Sequence, residues 1–166
     1  SSNPFMVSAI SRDVLGQTSD VHITTFTVDE TYGVISTTLP LNGEFYGGLG
    51  YSGEGAIPAK PLNVISGTAA DVGGNGNPSG VNKVEIAIMD SDLVFFWNGA
   101  DAFNLGSANE LRWRTTEGAG SWAYPKTPDV LPPWTSGRKY CIYYRVTDNV
   151  GNISPVAGCN EFIYDT

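Results

Sequence analysis

The sequence predicts an all-β chain, an antiparallel β-sandwich with an extra hairpin at its N-terminus. Three observations predict it. Apolar and polar residues alternate with a period of two in several short runs, most cleanly at Val84, Ile86 and Ile88 and again at Tyr140, Ile142, Tyr144 and Val146. Gly, Pro, Asn and Asp separate the runs, and 20 Gly with 10 Pro in 166 residues interrupt the chain too often for long helices. No window sustains a 3.6-residue apolar repeat, so helices are expected to be minor. There is room for one sizeable domain that buries its core without metals or several disulfides.

Taken in order, Phe5, Val7 and Ala9 begin a strand, Arg12 to Gln17 turns, and Val21 to Val28 returns as the second arm of a hairpin. Tyr32 to Leu39 is the next strand, followed by a turn at Pro40-Leu41-Asn42-Gly43 and a Gly- and Pro-rich connection over 44–61. Leu62 to Ala70 is a strand and Asp71 to Gly80 a long turn. Val81 to Met89 is the cleanest alternating strand, with shorter ones at Leu93–Trp97, Leu111–Arg114 and Ser121–Tyr124. Pro125 to Gly137 crosses over into the closing hairpin, whose arms are Arg138–Asp148 and Ala157–Tyr164 and whose tip lies near Val150 in Asp-Asn-Val-Gly-Asn. About seven strands punctuated by turns make a sandwich.

The first and last hairpins share a pattern. At an offset of 135 residues Asp13 falls on Asp148, Gly16 on Gly151 and Ser19 on Ser154, with Phe5 and Val7 on Tyr140 and Ile142. One further residue in the later loop sets Phe26 on Phe162 and Asp29 on Asp165. Self-similarity at a fixed period marks an array. Residues 1–29 are therefore expected to be the last two strands of a preceding repeat, or a docking hairpin, and 30–166 a complete sandwich.

A net charge of −8 argues against nucleic acid and acidic membrane surfaces as partners. No apolar run approaches the roughly 20 residues of a membrane span, and no signal peptide is legible, as expected for a processed chain or a piece of a longer one. Cys141 and Cys159 are equidistant from Val150, so a hairpin folded there sets them opposite one another. A cross-strand disulfide is expected, the alternative being two thiols on one face; a disulfide fits an oxidising compartment.

The order of motifs resembles the bacterial immunoglobulin-like domains of cell-surface and secreted proteins (Big-type, fibronectin-III-like). The matching stretches are Ile65-Ser66-Gly67-Thr68-Ala69-Ala70-Asp71, Val84-Glu85-Ile86-Ala87-Ile88, Phe96-Trp97-Asn98-Gly99, Trp122, and the closing run from Gly137 through Tyr140, Arg145, Asp148 and Gly151 to Asn152. Phe26-Thr27-Val28-Asp29 is similar to the strand that joins such domains in series. The resemblance covers residues 26–166 and implies an immunoglobulin-like antiparallel β-sandwich, a scaffold that hosts many activities. The long Gly-rich insertions at 44–61 and 98–120 depart from it.

Chemistry is sparse. The lone histidine, His22, lies in the first hairpin, so no Ser-His-Asp set can form within the sandwich. Zinc spacing and a phosphate loop are missing from the sequence, and Asp90, Asp92 and Asp101 read as turn and solvated-face residues rather than a catalytic carboxylate pair, so no enzyme is expected. In the immunoglobulin-like order, the incoming strand, the loop after the second strand and the last hairpin tip share one end. That would gather Asp29, Glu30, Asp71 and Asp148, hard oxygen donors suited to calcium, the one cofactor the residues point to. Otherwise each Asp caps its own turn. Trp113 and Trp134 are the candidates for exposed, sugar-stacking aromatics, against plain core packing. The functional expectation is a non-catalytic structural or adhesive module of a bacterial extracellular or cell-surface protein, acting as spacer, assembly or adhesion unit. Its partners would be neighbouring domains or identical subunits met through sheet edges, including filament assembly, or a host or glycan surface. The alternative is an accessory carbohydrate-binding domain of a secreted enzyme.

Overall fold

A computed structural model describes residues 4–48, 60–72 and 78–165. Within them the chain is almost entirely β. The strands are β1 (Phe5–Ala9), β2 (His22–Phe26), β3 (Val34–Leu39), β4 (Phe45–Tyr46), β5 (Ile65–Ala70) and β6 (Val81–Asp90). They continue as β7 (Phe95–Trp97), β8 (Phe103–Leu105), β9 (Arg114–Thr115), β10 (Ser121–Tyr124), β11 (Arg138–Asp148) and β12 (Ala157–Tyr164). β1 and β2 form a two-stranded sheet of their own; β10-β5-β3 is a three-stranded sheet; β4-β12-β11-β6-β7-β8 forms the larger one, with β9 also paired to β6. All pairs are antiparallel except β4 with β12.

The alternation visible in the sequence becomes the contact between the two main sheets. Ile86 and Ile88 of β6, Ile142, Tyr144 and Val146 of β11, and Phe162 of β12 point inward to meet Ile65 of β5 with Trp122 and Tyr124 of β10. β6 is buried on both faces, because Ala87 packs outward in a second cluster with Phe96 and Trp113. The 98–120 insertion thus covers the outer face of the large sheet. Among the described residues no helix is long and apolar enough to cross a membrane.

Three expectations change. Leu111–Arg114 is not one strand: the Asn109 side chain accepts the Leu111 N–H at 2.9 Å and starts a 3-10 turn over Glu110–Arg112, leaving only Arg114–Thr115 extended. β4 and β8 lie inside stretches expected to be loops, while residues 49–59 of the first connection and 73–77 of the long turn fall outside the described residues. The closing hairpin is also not symmetric about Val150: Cys141 is the Cα partner of Glu161, with an irregularity between Ile142 and Tyr144. The disulfide nonetheless joins Cys141 to Cys159 across a Cα separation of 5.3 Å. Cross-strand diagonals lie on the same face, within reach of each other. Such a bond belongs to a non-reducing environment.

Candidate functional site

Three segments distant in sequence meet at one end of the sandwich. The closing hairpin turns at Asp148, whose Oδ1 accepts the N–H groups of Val150 at 3.0 Å and Asn152 at 2.8 Å, with Gly151 at φ 97° completing the turn. The segment leading into β3 turns at Asp29, whose Oδ1 accepts both the N–H and the hydroxyl of Thr31, at 3.1 and 2.7 Å. The loop that follows β5 begins at Asp71, whose Oδ2 accepts the Gly80 N–H at 2.8 Å. Asp29, Asp71 and Asp148 each present a carboxylate oxygen within 4.8 Å of the others.

The arrangement is braced by neutral groups. The Ser79 N–H donates to Asp29 Oδ2 at 2.8 Å and its hydroxyl to Asp71 Oδ2 at 3.3 Å, so one residue ties two of the carboxylates together. The Asn152 amide lies 2.7 Å from Asp148 Oδ2 and also donates to the carbonyls of Asp29 and Thr31, at 3.0 and 2.9 Å. Asn149 reaches the Ser79 carbonyl at 2.7 Å. Among the described residues no lysine or arginine forms an ion pair with Asp29 or Asp148.

Hydrogen bonding holds these groups ionised. The Thr31 hydroxyl, then the N–H groups of Ser79 and Thr31, push the Asp29 carboxyl well below the usual range. Burial alone would raise Asp148, but the Asn152 side chain and the N–H groups of the turn outweigh it, and the net direction is downward. Asp29 and Asp148 therefore each cap a turn, and their carboxylates lie in one cluster with that of Asp71. Hard carboxylate oxygens from three segments are donors of the kind that calcium takes.

Glu30 does not join the cluster: Asp29 turns toward Thr31 and Ser79, and its neighbour is left exposed. Trp113 and Trp134 do not form an open aromatic strip. Trp113 is only 8% exposed, with the Arg145 guanidinium 4.4 Å above its ring. Arg145 is held there by Glu85 at 2.9 Å and Glu110 at 3.1 Å. Trp134 packs edge-on against Tyr140 and Phe162, with ring centroids at 4.9 and 5.3 Å. Of the two arginines that flank Trp113, Arg112 lies over its ring at 5.3 Å, and the closer cation, Arg145, comes from β11. Asp90 caps a turn as expected, accepting from the Asp92 and Leu93 N–H groups, but it is not on a solvated face: it is buried and pairs with Arg138 at 2.6 Å.

Thr31, Ser79 and Asn152, which position the carboxylates, were missed at the sequence level. Thr31 and Asn152 left a local signal, because Asp-Glu-Thr and Asp-Asn-Val-Gly-Asn set a hydrogen-bonding residue two or four positions after an aspartate; Ser79 left none. At the other end of β11, Gly137 N–H bonds the Tyr164 carbonyl at 2.8 Å and the Ser136 hydroxyl bonds Asp165 at 2.9 Å. Asp29 and its positional counterpart Asp165 are therefore separated by the length of an 11-residue strand, about 33 Å at 3.3 Å per residue. No protein-family model matches the chain, and no curated protein matches it.

Proposed function

We propose that the chain is a non-catalytic, immunoglobulin-like spacing module of an extracellular or cell-surface protein, stiffened by calcium where the chain comes in. The observation that carries this reading is the convergence of Asp29, Asp71 and Asp148 at the end where the segment before β3 comes in, with the last strand, β12, running to the opposite end. A module threaded end to end transmits length and direction, and a cation clamping its incoming segment would fix the joint. Strand order supports the family reading: β3, β5 and β10 share one sheet and β6, β11 and β12 the other, as in the A-B-E and C-F-G grouping of immunoglobulin-like sandwiches. The disulfide supports an extracellular setting. Adhesion or assembly through the sheet edges is compatible with the same architecture.

The test is thermal unfolding in EDTA and in about 5 mM calcium. A site with an affinity near 10⁻⁴ M should raise the midpoint by roughly 5 °C. Asp148→Asn should abolish the gain and, because the ionised carboxylate also caps its own turn, lower the EDTA midpoint as well. Equal midpoints in the two solutions would remove calcium from the reading.

A further inference from the structure

The first hairpin repeats the pairing, turn capping and serine contact of the last one, without its disulfide and its register irregularity. Phe5 is the Cα partner of Phe26 with rings stacked at 5.4 Å, as Tyr140 is of Phe162 at 5.6 Å. Asp13 Oδ1 accepts the N–H groups two and four residues on, Leu15 and Gln17, both at 2.9 Å, as Asp148 does with Val150 and Asn152. Gly16 takes φ 88° where Gly151 takes 97°. The Ser11 N–H reaches the Ser19 hydroxyl at 3.0 Å, and the Val146 N–H reaches Ser154 at the same distance. Isolated bridges Arg12–Thr18 and Thr147–Ile153 close both tips. Two hairpins related only by composition would not share pairing, turn capping and serine latch together.

Their surroundings differ. In the last hairpin Tyr140, Ile142 and Phe162 are buried, because β6 pairs along β11 and the β3-β5-β10 sheet covers the apolar face. Their counterparts Phe5, Val7 and Phe26 are 58, 49 and 48% exposed, and among the described residues β1 and β2 pair only with each other. A two-stranded hairpin is marginal alone.

We propose that hairpin β1–β2 is the closing hairpin of a second sandwich of this same architecture, lying N-terminal to it in the parent protein. A β6-like strand pairs along β1 and a three-stranded sheet covers Phe5, Val7 and Phe26. The commitment to this occupant rests on what covers the counterpart. It also rests on the shared ending, in which Phe26 leads to Asp29 as Phe162 leads to Asp165. The position that a closing hairpin takes is already filled in this sandwich by its own β11–β12, so β1–β2 would take it only in another unit. Asp13 is then the counterpart of Asp148 at that unit's incoming end. This deepens the serial-module reading without depending on calcium.

The experiment extends the chain with its own residues 30–137 placed directly before Asn3, so that β1–β2 stands where β11–β12 stands. Amide exchange is measured in EDTA, which keeps the outcome separate from that of the calcium reading. Expected are exchange at Met6–Ala9 and Ile23–Thr25 about a hundredfold slower than in the unextended chain, and loss of that protection in Val7→Asp. In the unextended chain Val7→Asp should leave the melting midpoint unchanged. The reciprocal exchange, Phe5–Phe26 in place of Tyr140–Phe162, serves if the extended chain does not fold, and should give a cooperatively melting monomer. Unprotected β1–β2 amides in the extension together with an unfolded reciprocal chimera overturn the proposal. So does concentration-dependent protection of β1–β2 in the unextended chain, which would make a second copy the occupant.

Discussion

Gly67 sits in β5 opposite Trp122 of β10, and the indole lies flat across the space a side chain would occupy. A methyl group built at position 67 meets both the Trp122 ring and the carbonyl oxygen of Ser36 on β3. Neither can retreat easily, since Trp122 is buried and the Ser36 carbonyl belongs to the neighbouring strand. Gly67→Ala should therefore destabilise by about 1–3 kcal/mol through overpacking, where alanine in a strand would otherwise be favoured. Chemical denaturation of the two proteins checks it; equal stability would mean that Trp122 moves without cost. The same site shows what the sequence withheld. Ile65-Ser66-Gly67-Thr68 announces a strand, but that its glycine makes room for an indole more than 50 residues away is a fact of pairing, not of pattern.

At the scale of elements, legibility follows length. β6 and β11, with 10 and 11 residues, show their period of two without ambiguity, and the closing hairpin adds a turn whose Asp and Gly have one conformational purpose. β4 and β8 have two and three residues, too few for any period, and exist because a neighbouring strand offers an edge. Leu111–Arg114 imitated alternation, but the Asn109 cap decides the local fold first. The candidate site was legible because its aspartates stand in recognisable turns; the strut Ser79 was not, since Asp29 lies 50 residues away, nor was the reach of Asn152 to carbonyls more than 120 residues away. The disulfide belongs to this scale as well. It closes a separation of 18 residues within a hairpin that β6 already holds in register. Replacing both cysteines by alanine should lower stability by about 3 kcal/mol, roughly 10 °C in melting midpoint, without changing the far-ultraviolet circular dichroism. A changed spectrum would mean that the bond sets the register instead of securing it.

Acid should act on the whole molecule with a sign that separates local from global electrostatics. With a net charge of −8, general repulsion would be relieved as carboxylates take up protons, and stability would rise on acidification. The cluster predicts the reverse. Asp29 and Asp148 are held below their ordinary value of 3.8, so the unfolded chain binds protons that the folded one refuses. Their contribution is complete above the unfolded value and is lost progressively as pH falls below it toward the folded values. Denaturation free energies should therefore be level from about pH 7 to 5 and decline below about pH 4. The decline should be shallower in Asp29→Asn, which has no proton to gain there. Because calcium needs ionised ligands, any stabilisation by calcium should fade through the same interval. A stability that climbs steadily from pH 5 to 3 in the parent chain would show that the −8 charge governs the molecule and that the turns at Asp29 and Asp148 contribute little. A decline that Asp29→Asn flattens would place the acid response at the end where three separate segments of the chain are tied into one joint.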